Sequence, residues 1–378
     1  MTVRLIRLAL SDAGTTDAEG VNLTNQEVLD KTEVGPALFA AIPLDSGTMI
    51  STNLTDMCHD YSGNLYICDY LRSCVIKVSE GGDVRWIAGS EAGVASNNGT
   101  LQNVPAGDAR FNQPQGICCD KWGTLYVADT GNNQIRTIKD GKVNVLAGKL
   151  AAGFVDGPGT SDTSSSTAQF NTPTDVCVDK AGVVYVADTA NHSVRKIMNN
   201  GQVVTIAGAG NSGDGIAENY WDANGVISPN FITETATTWP SRRMMFTSPT
   251  SISVDLQGNI YVAHYDGVAQ HLGYKIKKIC PDGQVHLYSG SGIAGLSLGT
   301  AGSEWKTCQY TYIYDMDVDE SGNVYVADYR AAGRSRIIKI DWTGTPSVVA
   351  DFDSNTYNAG PWSICTTPGQ TIFVGLTY

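Results

Sequence analysis

Histidine is scarce in this chain, with five copies in 378 residues, and none of the nine cysteines forms a CxxC pair. Neither a zinc knuckle nor a histidine-rich metal cage can be assembled from such spacing. The thiol count is odd and no export signal is evident, so the cysteines are expected to be reduced rather than paired in a disulfide frame. No apolar run approaches the length of a membrane span, and the opening MTVRLIRLALSDAG interrupts its apolar residues with Arg4 and Arg7. The reading is therefore a chain made in the cytoplasm, without a signal peptide and without membrane insertion. The longest basic run is Arg242-Arg243, set against 25 basic and 38 acidic residues and a net charge of −13. That balance repels a phosphate backbone and anionic lipid, which excludes nucleic acid as an expected partner.

What the chain has is a repeat. A small-apolar-Tyr core recurs as NLYICD at 64, TLYVAD at 124, VVYVAD at 183, NIYVAH at 259, NVYVAD at 323 and, more weakly, TIFVGL at 371. Before each of the first five lies a run ending in a carboxylate and a Gly turn (Asp60, Asp120, Asp179, Asp255, Asp319), and after each come two further apolar runs. Four short strands rich in Val, Ile and Tyr, bounded by Gly, Asp and Asn, form an antiparallel meander. One such sheet cannot bury both faces, whereas several packed radially can. The expected fold is all-β, a six-bladed β-propeller of four-stranded antiparallel blades forming one domain over 1–378. Five blades fall within 49–356, and 357–378 supplies the first two strands of the last blade. Residues 1–48 would complete that blade, with LIRL at 5–8 as its third strand and ALFAAI at 37–42 as its fourth.

Two stretches carry a closer resemblance. FNQPQGICCDKWGTLYVADTGNNQIRTI and FNTPTDVCVDKAGVVYVADTANHSVRKI resemble NHL repeats, the propeller repeat named for its Asn-His-Leu turn, and the second copy reads Asn191-His192-Ser193 there. Asp188, His192 and Ser193 together suggest an Asp/His/Ser active site. Alignment of the two copies places Asn133 and Gln134 opposite His192 and Ser193, so neither chemistry nor spacing persists, and a turn is expected. Asp188 is expected to accept hydrogen bonds from backbone N–H groups of the loop between the second and third strands.

Other constellations are weaker. DMDVDESGN at 315–323 has alternating carboxylates but puts Glu320 and Val326 where an EF-hand loop needs Gly and Glu. Asp317 shares an aligned inner-strand position with Cys58, Cys118, Cys177, Ser253 and Cys365, and a carboxylate there needs a partner or a cation. It is the candidate metal ligand, while the aligned thiols read as packing. His264 opens a long loop that also holds Asp266 and His271, a set able to bind a divalent ion, although a surface loop is the favoured reading. The longest insertion between blades, 209–245, contains Tyr220, Trp221, Trp239, Arg242 and Arg243, types enriched at binding hot spots. These residues and the histidine loop are the candidate binding surface.

No nucleophile, base and orienter converge in the sequence, and NHL propellers often mediate interactions. The favoured reading is thus a non-enzymatic NHL-type platform, binding protein partners or a surface glycan through its loop-rich face. It could serve in a multimeric assembly as a structural or adhesion subunit of a phage virion or tail. The alternative is a metal-dependent propeller hydrolase, resembling lactonases, or a lyase. Calcium or another divalent ion stays open as a cofactor, because lactonase-like sites have no fixed spacing to test.

Overall fold

The computed structural model describes residues 3–9, 53–79, 83–89, 102–159, 167–208, 246–266, 273–298, 308–330, 334–353, 360–367 and 371–377. The repeat folds as antiparallel sheets arranged around an axis. Blade 1 runs through Leu54–His59, Leu65–Asp69, Cys74–Val78 and Val84–Gly89. Blade 2 follows with Ile117–Cys119, Leu125–Asp129, Gln134–Lys139 and Lys142–Gly148, and blade 3 with Pro173–Val178, Val184–Asp188, Ser193–Ile197 and Gln202–Gly208. Each of these two gains a short outer strand from the insertion before it, Val104–Pro105 and Gly157–Pro158. Blade 4 comprises Thr247–Val254, Ile260–Tyr265, Tyr274–Ile279 and Val285–Ser289. Blade 5 comprises Tyr312–Val318, Val324–Tyr329, Arg334–Ile340 and Pro346–Asp353.

The expectation of six four-stranded blades is corrected here. Among the described residues five sheets are full blades of four or five strands; the remaining sheet has three strands there, in the order Val3–Ala9, Thr371–Thr377, Gly360–Thr367. Both chain ends do meet in it, with Val3 opposite Thr377 and Ala9 opposite Thr371. The segment expected as its fourth strand, 37–42, lies outside the described residues. The inner strand of this closing sheet, Gly360–Thr367, packs between the inner strands of blades 5 and 1.

The recurring Asp, Gly and Tyr have a single physical cause. In blade 2, Asp120 Oδ1 accepts the backbone N–H groups of Trp122 (2.9 Å) and Thr124 (2.8 Å), and Oδ2 accepts the Tyr126 hydroxyl at 3.1 Å. The same carboxylate–turn–tyrosine clasp recurs at Asp60, Asp179, Asp255 and Asp319. The turn glycine takes positive φ, 74° at Gly123 and 85° at Gly182, a conformation that disfavours a Cβ. Hydrophobic clusters lie between neighbouring sheets; one joins Tyr185, Val194 and Ile206 of blade 3 to Ile252, Ile260 and Val285 of blade 4.

Candidate active site

Inner strands alternate their side chains with period two, so residues two apart on each strand face the axis together. This builds two rings. The first contains Asp56, Gly116, Asp175, Ser251, Asp315 and Ser363; the second, two residues later, contains Cys58, Cys118, Cys177, Ser253, Asp317 and Cys365. The first ring escaped the sequence reading. Its signal was present in the same alignment, where the aligned positions read Asp, Gly, Asp, Ser, Asp, Ser.

The three carboxyls of the first ring are buried and clamp adjacent sheets together. Asp56 Oδ2 accepts Ile117 N at 2.7 Å, Asp175 Oδ2 accepts Ile252 N at 2.7 Å, and Asp315 Oδ2 accepts Ile364 N at 2.9 Å. Two serines fill the gaps: Ser251 Oγ lies 3.1 Å from Asp315 Oδ1, and Ser363 Oγ lies 2.8 Å from Asp315 Oδ2 and 3.1 Å from Asp56 Oδ1. Burial raises Asp56 and Asp175 well above the usual carboxylate range, and the nearby charge of Asp315 adds to it. Burial also pushes Asp315 up, to about 6, against the hydrogen bonds from Ile364 and Ser363.

Asp56, Asp175 and Asp315 line two cavities at once, one at each end of the axis. The larger, about 570 Å³, is a cup at the end where inner strands begin, and its wall includes Asn53, Ser248 and Gly360 there. One side of the cup is aromatic. Tyr274, Tyr312, Tyr314 and Tyr329 line it with ring centroids 4.9, 4.6 and 5.1 Å apart, and Tyr265 packs against Tyr274 at 5.9 Å outside the lining. Tyr312 and Tyr314 keep 38% and 44% of their surface exposed, leaving room for a ligand to stack. The rest of the wall mixes polar Thr55, Gln115, Thr174, Thr189 and Thr250 with apolar Leu54, Leu71 and Trp362, and its described lining holds no Lys, Arg or His.

The smaller cavity, about 220 Å³, is lined by the second ring and by His59, whose Nδ1 is 3.3 Å from Cys365 Sγ. Burial raises the Cys58, Cys118, Cys177 and Cys365 thiols, which keeps them protonated and unreactive. Asp317 finds its partners within the protein: Ser253 Oγ, Val318 N, Thr366 N and Thr366 Oγ1 all donate to it, at 2.8–3.0 Å.

Protein donors already occupy both candidate carboxylates. Asp315 already accepts from Met316 N, Ser251 Oγ, Ile364 N and Ser363 Oγ, and Asp317 from the four groups just named. Among the described residues, no group of three or more His, Cys, Asp or Glu is arranged to hold a metal ion. Carboxylates committed to this many protein donors do not fit a cation, and the chemistry below uses none.

The other sequence candidates are dispersed. His264 is buried, its Nδ1 2.9 Å from Tyr265 O, and burial with nearby Lys277 lowers it well below the usual imidazole range. Asp266 forms an ion pair with Lys275. His271, Tyr220, Trp221, Trp239, Arg242 and Arg243 lie outside the described residues. Asp188 does accept backbone and side-chain donors, but the backbone N–H is that of Asn171, ahead of the inner strand, and the others are Asn191 and Arg195. His192, at φ 52°, instead accepts Ser248 N through Nδ1 at 2.9 Å. No Asp–His–Ser chain of hydrogen bonds forms. No described helix is long and apolar enough to cross a membrane.

Comparisons with known proteins place this geometry. A solved gluconolactonase of Xanthomonas campestris shares the fold with a TM-score of 0.50, at 12% identity over 85% of each chain. A catalytically inactive virginiamycin B lyase of Staphylococcus aureus, solved with quinupristin, aligns with a TM-score of 0.48 at 11% identity, covering 100% of this chain and 99% of that one. The readings of a non-enzymatic platform and of a structural, virion-type subunit are corrected on the first of these matches, because the fold is shared with a solved gluconolactonase. The expectation against an enzyme is corrected on the same match: a propeller can present its chemistry from inner strands around the axis, where no local triad motif would appear. In sequence, NHL repeat-containing protein 2 of Bos taurus is 31% identical over 143 residues, 34% of this chain; the match spans 19% of that relative's length. The NHL repeat model matches residues 111–138 and 170–197, the two stretches whose clasps and turns are described above, and blades 2 and 3 of the chain are NHL repeats.

Proposed function

We propose that this chain is a propeller hydrolase acting on an uncharged, ring-shaped ester or lactone bound in the axial cup. One observation carries the reading: a cup of about 570 Å³, walled by tyrosines on one side and carrying threonine hydroxyls among apolar residues elsewhere, stands over three buried carboxyls. Tyrosine faces suit the apolar face of a ring, threonine and glutamine suit its polar edge, and a wall without cations favours a neutral ligand. The gluconolactonase fold match supports this class of substrate.

The carboxyls supply acid–base chemistry because their environments hold them in different protonation states. Asp315, near 6, is ionised at neutral pH and, once water takes the place of the 3.1 Å Ser251 Oγ contact on Oδ1, can take a proton from that water as its oxygen bonds to the carbonyl carbon. Asp56, raised further, stays protonated and can give its proton to the ring oxygen as the C–O bond breaks. The products are an alcohol and a carboxylate on one opened chain.

Proton release from a panel of neutral lactones and aryl esters tests this directly. Turnover of at least one is expected, falling about 100-fold or more in Asp315→Asn with the β-sheet circular dichroism retained. Because the base must be ionised, kcat should climb as pH rises through about 6. No turnover of any neutral lactone or ester, or full activity in Asp315→Asn, would overturn the reading.

A further inference from the structure

The Ser363 hydroxyl has one proton and two carboxyl neighbours. Its Oγ lies 2.8 Å from Asp315 Oδ2 and 3.1 Å from Asp56 Oδ1, and Met57 N donates to it at 3.0 Å. A hydroxyl donates once, so only one of the two carboxyls can receive it.

Asp315 is the receiver. Its contact is the shorter, and its oxygens also collect Met316 N at 2.7 Å, Ile364 N at 2.9 Å and Ser251 Oγ at 3.1 Å, a setting that favours the charged form. Asp56 accepts Met57 N on Oδ1 and Ile117 N on Oδ2, each at 2.7 Å; the Met57 N–H is shared with Ser363 Oγ and points mainly at Asp56, so no full hydrogen bond joins an ionised Asp56 to Ser363. Were Asp56 ionised, its Oδ1 would set lone pairs against those of Oγ, at a site where Asp56 is only 9% exposed. A proton on Asp56 removes the conflict.

We propose that Asp56 is a carboxylic acid at neutral pH, donating to Ser363 Oγ, which in turn donates to the carboxylate of Asp315. Burial and the facing charges of Asp315 and Asp175 push Asp56 the same way. The other titratable groups around this trio are Asp317, Cys58, Cys68 and Cys365. This assignment rests on the hydrolase reading for its use. Once Asp315 holds the proton from water and Asp56 has given its own to the leaving oxygen, Asp315 passes a proton to Ser363 Oγ as Ser363 passes its own to Asp56. Both groups are then restored without exchange with solvent, and Ser363 acts as a positioning residue.

Infrared spectroscopy of the full chain, with carbon-13 in its aspartate carboxyls, reads the proton directly. The native chain near neutral pH should show a protonated-carboxyl C=O band that disappears in Asp56→Asn. The band should shift in Ser363→Ala and return in Ser363→Thr, so the serine pair decides the matter should Asp56→Asn fail to fold. A band unmoved by these substitutions, or absent from the native chain, overturns the proposal. Kinetics separate it from the reading beneath it. Ser363→Ala is expected to lower kcat about tenfold or more with KM unchanged, as loss of an acid–base partner does. The band without any hydrolysis would leave the shared proton standing and remove the hydrolase; hydrolysis without the band would do the reverse.

Discussion

Ser73, Asn133 and His192 follow the second strands of blades 1, 2 and 3, and each does the same work with different chemistry. All three have positive φ, between 52° and 54°, and each accepts a backbone N–H from the next blade: Gln113, Thr172 and Ser248, at 3.1, 2.8 and 2.9 Å. The role needs a compact acceptor in a left-handed turn, which Asn fills as well as neutral His does. His192→Ala should therefore cost about 1 kcal/mol in urea unfolding, His192→Asn much less, and neither should touch hydrolysis. Burial lowers His192 from its ordinary range. Its folded value lies below its unfolded one, so the contribution is present above the unfolded pKa and is lost as pH falls through the folded value. A urea titration of the native chain and His192→Asn across pH 4–7 should show the two converging toward the acidic end.

At the scale of the element, the carboxylate clasp explains why each blade restarts with Asp, Gly and Tyr. Asp120 closes its turn and anchors the second strand through Tyr126 at the same time. Replacing Asp120 with Ala removes three hydrogen bonds and should cost about 2–3 kcal/mol by denaturant midpoint. Gly123→Ala at φ 74°, with open space around the new Cβ, should cost about 1 kcal/mol, all of it conformational. The second-strand ends carry another repeated device. Asp129, Asp188 and Asp328 pair with Arg136, Arg195 and Arg336 at 3.1, 2.7 and 3.0 Å, buried beneath the insertions. His264 stands in that row in blade 4, which accounts for a buried imidazole where the sequence favoured the start of a surface loop.

For the whole molecule, closure depends on a strand contributed by the opposite end of the chain. Val3–Ala9 pairs along Thr371–Thr377 through seven residues, and without it the closing sheet would keep two strands and an exposed edge. Deleting residues 1–9 is expected to lower the melting temperature and broaden the calorimetric transition, and to promote association through the freed edge. A sharp transition at the native temperature in the truncated chain would show that the ring closes without that strand.

The sequence by itself determined the strands, the turns and the order of the blades, because those follow from local chemistry. Asp-x-x-Gly-x-x-Tyr forms its clasp within seven residues, and period-two alternation shows which side chains share a face. It also showed His192 as a turn residue, since the neighbouring repeat supplied Asn133 as the comparison. Tertiary structure alone decided the site. Asp56, Asp315 and Ser363 are separated by up to 307 residues and meet only when the ring closes. Their protonation depends on burial and on one another's charge, neither of which is written in any local window. The tyrosine wall likewise needs blades 4 and 5 side by side, and the three-stranded closing sheet depends on the pairing of distant termini. Long-range convergence around an axis leaves no spacing in the chain, which is why the aligned Asp and Ser positions were visible while their chemistry was not.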